Sequence, residues 1–169
     1  MSLITEDGSG LADAESYASV NDADTYLGNR LLTLWATMST AEKEASLRRG
    51  TDYITQMYRP RWAGLRMTST QALDWPRYDV PRADSPLGYY PTTVVPTEVK
   101  AACCEMAFKA AFGELNGELG QAKASVQVGP IKTDYAQGST AAKRYPAIDQ
   151  LLRPMLAAGG GGAITMVRC

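Results

Sequence analysis

The chain contains no histidine. That absence removes Ser-His-Asp and Cys-His catalysis and every histidine-bearing zinc site. Cysteine is scarce: Cys103 and Cys104 adjoin in a helical stretch, and Cys169 is the last residue. Without a C-x-x-C spacing, these thiols form neither a disulfide framework nor a zinc cluster, and a buried, apolar role is expected for at least one of the helical pair. Three thiols are compatible with a reducing compartment. No uncharged apolar run approaches the roughly 18 residues of a membrane span. The opening MSLITEDGSG lacks the basic start and apolar run of a secretory signal. Phosphate cradles are missing as well, because neither G-x-x-x-x-G-K-[ST] nor G-x-G-x-x-G occurs after a strand-like segment. The run Gly159 to Gly162 precedes a strand-like tail and not a helix N-terminus, the geometry that binds anions. The carboxylates of Glu6-Asp7 and Asp22-x-Asp24 lack a calcium-loop pattern and read as solvated acidic surface. The expectation is a protein that is no enzyme, with no cofactor and no metal.

What is present is an ordinary globular composition: 169 residues, 45% apolar and 21% charged, enough for one domain with its own core. The fold class expected is mainly α: a small helical bundle with a long Pro-rich loop between helices, a short β-hairpin and a Gly-hinged C-terminal arm. Residues 1–158 form the helical domain, with an N-terminal arm over 1–18 and an extended loop over 59–95. Residues 159–169 form the flexible C-terminal arm.

The helices carry recognisable start signals. Ser19 is a good N-cap for a short helix ending near Gly28, with Asp22 and Asp24 placed to complement its dipole. Ser39 with Glu42 fits a capping box and opens a helix over about 40–58. Its expected buried face is Ala41, Ala45, Leu47, Thr51, Ile54 and Tyr58, with Arg48, Arg49 and Asp52 pointing away. Prolines 60, 76, 81, 86 and 91 forbid any helix through the loop that follows. Pro96 opens the central helix, running toward Leu115, whose small residues admit a close neighbour. Alternation on both sides of Gly129-Pro130 predicts the hairpin, and Tyr145 to Leu152 a last short helix.

Charge is uneven although the net value is −1. Residues 1–25 hold six acids and no base, whereas residues 48–66 hold Arg48, Arg49, Arg59, Arg61 and Arg66 against Asp52 alone. The arginines are interleaved with Tyr53, Tyr58 and Trp62. That mixture suits a single-strand binder, in which cations follow phosphates and rings stack on bases, and it equally suits a protein interface. Unlike surfaces of this kind also fit contact between neighbouring subunits. Candidate partner-interface residues are Trp62 and Trp75 in the loop and Ile164, Met166, Val167 and Arg168 in the tail. The five arginines are the candidate nucleic-acid contacts.

Several motifs occur in a familiar order: Ser19-Val20 with Ala23-Asp24-x-Tyr26-Leu27, Arg49-Gly50-Thr51-Asp52-Tyr53-Ile54, Gln71-Ala72-Leu73-x-Trp75-Pro76-Arg77, and Val95-Pro96-x-Glu98-Val99-Lys100. Val128-Gly129-Pro130-Ile131 and Arg144-Tyr145-Pro146-Ala147-Ile148-Asp149-x-Leu151-Leu152 follow. Together, over about residues 3–168, they resemble a family of small proteins encoded in the structural modules of tailed phages. Two descriptions attach to that family: head–tail connector (adaptor, head completion) and DnaT-like single-stranded-DNA-binding protein. The expectation drawn from the resemblance is the connector, with single-stranded-DNA binding as the alternative. It implies a homo-oligomeric ring, twelve copies in the virion, that sits below the portal protein and contacts the next neck or tail component. DNA would pass through its channel without specific binding, and no membrane is involved. The implied location is the virion neck, after assembly from the host cytoplasm.

Overall fold

The computed structural model describes residues 2–86, 88–116, 125–128, 131–134 and 145–157. Among them are five helices: α1 (Val20–Gly28), α2 (Thr33–Ala36), α3 (Thr40–Tyr58), α4 (Thr97–Ala111) and α5 (Pro146–Leu152). Two small antiparallel sheets accompany them. One pairs β1 (Leu65–Arg66) with β2 (Arg77–Tyr78), the other β3 (Ser125–Val128) with β4 (Ile131–Asp134). The protein is mainly helical, as the start signals imply. Ser19 and Ser39 each accept from the third helical residue, Asp22 or Glu42, whose side chain returns the bond to the cap's N–H. Two orphan donors are thereby satisfied at each helix start.

The core is the crossing of α3 and α4, with α1 and α5 packed against α4. At the crossing, a Cβ added at Gly50 would lie 2.7 Å from the Ala107 amide nitrogen, so only glycine permits this backbone approach. Leu47, Ile54, Val99, Ala102, Met106 and Ala107 are fully enclosed around it. Cys103 and Cys104 are buried here too, and burial pushes both thiols up from their ordinary pKa. Ala41 and Ala45 are exposed, because the buried stripe of α3 runs instead through Ser46, Leu47, Gly50 and Tyr53. Helix α4 stops at Ala111, short of Leu115, where the Arg49 guanidinium donates to the carbonyls of Ala110 (2.7 Å) and Gly113 (3.3 Å).

Three expectations change. The segment read as an N-terminal arm lies on the core: Ala14, Tyr17 and Ala18 are buried, and Thr5 bridges Ser16 in parallel. Glu6, read as solvated acid, is 1% exposed. Its carboxylate accepts the N–H groups of Gly8, Gly10 and Leu11, each at 2.9 Å, which satisfies a buried charge locally. The acidic and basic segments meet within the chain, where Arg48 donates to Glu15 at 2.8 Å. That bond holds the Glu15 carboxyl below its ordinary pKa. The tail candidates Ile164, Met166, Val167 and Arg168 lie outside the described residues, as do the glycine hinge and the Gly129-Pro130 turn.

Candidate nucleic-acid interface

The Pro-rich excursion leaves α3 through a 3-10 turn over Arg59–Arg61 and folds back on the core. Aromatic rings anchor it. Tyr58, Trp62, Trp75 and Tyr90 form a chain with successive centroid separations of 5.9, 5.8 and 6.0 Å. Trp62 and Trp75 are therefore core residues and not the partner surface expected of them: they are 5% and 0% exposed. Burying large rings supplies the apolar area that a segment without helices otherwise lacks.

Side chains join scattered main-chain bonds, such as Ala63 N–H to Met155 and Tyr90 N–H to Val80, in satisfying this excursion's backbone. Arg77 donates to the carbonyls of Ala63 (2.8 Å), Gly64 (2.7 Å) and Asp74 (3.1 Å). Gln71 donates to Leu73 and Pro76 at 2.8 and 3.1 Å, and exchanges bonds with Thr68. Arg66 donates to the Gln71 and Leu73 carbonyls. The Asp74 N–H donates to the Tyr17 hydroxyl at 3.0 Å, which ties the excursion to the N-terminal segment. Burial and the Asp74 charge push the Tyr17 phenol up from its ordinary pKa. Burial lowers Arg77, yet a guanidinium remains cationic at neutral pH.

This scaffold leaves a cleft of about 570 Å³ between the 3-10 turn and the β1–β2 pair. Its charged lining is Arg59, Arg66 and Arg77 against Asp74, so positive charge is in excess. Hydrogen bonds to carbonyls, as made by Arg66 and Arg77, do not neutralise their charge, although the Asp74 carboxylate also acts on Arg77. The Nε of Arg66 has no acceptor among the described residues. Arg59 is half-exposed and pairs with buried Asp74 at 2.9 Å. Beside these cations lie three exposed apolar side chains of the lining, Leu65, Met67 and Tyr78.

Of the five arginines singled out in the sequence, the cleft brings together Arg59 and Arg66. Arg61 lies against the Tyr58 ring and Asp149, outside that lining. Arg48 and Arg49 sit farther up α3, engaged with Glu15 and with the end of α4. Composition alone does not show Arg77 and Tyr78 in this role, because they enter the cleft only through pairing of two-residue strands eleven residues apart. Among the described residues no three Cys, Asp or Glu side chains form a group able to hold a metal.

A family model described as "Putative DnaT-like ssDNA binding protein" matches residues 1–169, the full length. The chain belongs to this family. No curated protein and no solved structure matches the chain. In this family member, Gln71, Trp75 and Arg77 of the loop motif shape the excursion, while Tyr78 just beyond it is presented to solvent.

Proposed function

We propose that the chain binds single-stranded DNA through the cleft between the 3-10 turn and the β1–β2 pair. The observation that carries the reading is the excess of arginine charge in a groove that also exposes an aromatic ring, Tyr78. Phosphates meet Arg59 and Arg66, while a base stacks on Tyr78 with Met67 and Leu65 beside it. Stacking on an aromatic ring contributes about 1–3 kcal/mol per base without sequence preference. The family description supports the same reading. With a net charge of −1 and three arginines in the cleft, the affinity should be modest and strongly salt-dependent. Fluorescence anisotropy with labelled oligothymidine tests it. Tyr78→Ala should weaken binding about tenfold at low salt while leaving the melting temperature unchanged. Binding that is indifferent to this substitution would remove the cleft from consideration.

A second reading draws on a different surface. Leu31 and Leu34 are 82% and 57% exposed at a groove lined by Leu32, Trp35 and Ala36 with the Asp24–Lys43 pair, a mixed face suited to a protein neighbour. Under that reading the chain is the head–tail connector, a ring-forming structural protein of the virion neck between portal and tail. Native mass spectrometry decides between them: a closed ring that dissociates on Leu31→Asp supports assembly, and a monomer at high concentration speaks against it. The family match favours the first reading.

A further inference from the structure

We propose that Asp74 is a built-in competitor for DNA phosphate, holding Arg59 in a cis ion pair that sets how tightly the cleft binds. The proposal rests on the single-strand-binding reading. Asp74 has a side chain 1% exposed, whereas Arg59 is 51% exposed. One carboxylate oxygen, Oδ1, accepts from Arg59 Nε at 2.9 Å, and the other, Oδ2, has no partner among the described residues. Arg77 hydrogen-bonds Asp74 only at the main-chain carbonyl, although the Asp74 charge also acts on it, so the carboxylate takes its close side-chain ion pair from Arg59. The remaining Arg59 contact is a long one, 3.5 Å to the Ala72 carbonyl.

The geometry makes the two anions rivals. A DNA phosphate that draws Arg59 outward leaves a buried carboxylate without its cation, and an uncompensated buried charge is strongly unfavourable. Part of the energy of each phosphate contact through Arg59 is thus spent in breaking the Asp74 pair. Arg66 carries no such restraint, since its partners are neutral carbonyls. Asp74 has a second attachment that does not depend on its charge: its N–H donates to Tyr17 and its carbonyl accepts from Arg77. Asp74→Asn therefore removes the competing charge while keeping shape and main-chain anchors.

The test compares wild type, D74N and the double variant R59A/D74N for binding to labelled oligothymidine across a salt series. D74N should bind about three- to tenfold tighter at low salt, because Arg59 meets its phosphate without first leaving a carboxylate. R59A/D74N should lose that gain, and it avoids stranding a buried charge. D74N that melts like wild type but binds no tighter would overturn the proposal while leaving the cleft reading standing. The same holds if the gain persists in R59A/D74N. Absence of binding by all three at low salt would instead overturn the reading beneath it. Where D74N fails to fold, the Arg59 Nε–H resonance of the wild-type protein supplies the answer: it should shift with the same midpoint as binding, and an unmoved resonance refutes the rivalry.

Discussion

The α3–α4 crossing and the Pro-rich excursion solve one problem by opposite means. Each must bury apolar groups without abandoning its backbone donors and acceptors. The helices satisfy their main chain internally and then need only small residues, Gly50 against Ala107, to come together. The excursion has almost no ladder, so it spends Arg77, Gln71 and Arg66 on its own carbonyls and buries Trp62 and Trp75 for apolar area. In the first region, tolerance to change is set by volume. In the second it is set by hydrogen-bonding capacity, and the cations recruited for that purpose are the ones that line the cleft.

The sharpest way to break the contrast is at the crossing. Gly50→Val should cost about 3 kcal/mol or more, because the added atoms meet the main chain of Ala107, which cannot yield as a flexible side chain would. Gly28→Ala is the control. A Cβ there meets nothing within 4 Å, so the substitution should be neutral or stabilise by up to about 1 kcal/mol. Denaturant melts of the two variants measure the difference.

Arg77→Ala should come next, at about 2 kcal/mol, by stripping three carbonyls of their donor. The loss should be local. Hydrogen exchange should accelerate over residues 62–80 while α3 and α4 keep their protection. Uniform acceleration would show that excursion and crossing form one cooperative unit.

The smallest effect lies where the two regions join. Tyr58, at the end of α3, donates to Asp149 at 2.8 Å, and burial followed by that bond raises its phenol pKa. A raised folded pKa favours the protonated form. The stability it contributes is complete below the ordinary tyrosine value near 10 and is lost as pH rises beyond it. Tyr58→Phe should lower stability at neutral pH yet flatten the alkaline decline by at most about 1.4 kcal/mol per pH unit. Urea melts at neutral pH and above pH 10 provide the comparison.

The same contrast explains what could be read from the sequence. Caps and helices were legible because their signals are local: Ser19, Ser39 with Glu42, and the prolines that end or open elements. The hairpin pairing Ser125 with Asp134 was legible for the same reason. The excursion carries no period, since much of its order comes from its own side chains reaching main-chain groups up to 14 residues away, and from Tyr17 farther off. Trp62 and Trp75 therefore read as partner contacts, although they pack against each other. Glu6 read as surface because no composition rule reports three N–H groups closing around one carboxylate. Half of the cleft, Arg59 and Arg66, followed from charge clustering; Arg77 and Tyr78 required strand register.

The Glu6 loop has a consequence for the order of events during synthesis. Its three donors are at most five residues away, so the loop can close as soon as it emerges. Its seat cannot form then, because Gly8 lies so close to the Thr93 carbonyl that a Cβ would collide with it. At about 5–20 residues per second, the roughly 85 intervening residues take some 4–17 s to translate. Through that interval the Thr93 surface that seats Gly8, made by nearly the last part of the excursion, is still missing from the chain.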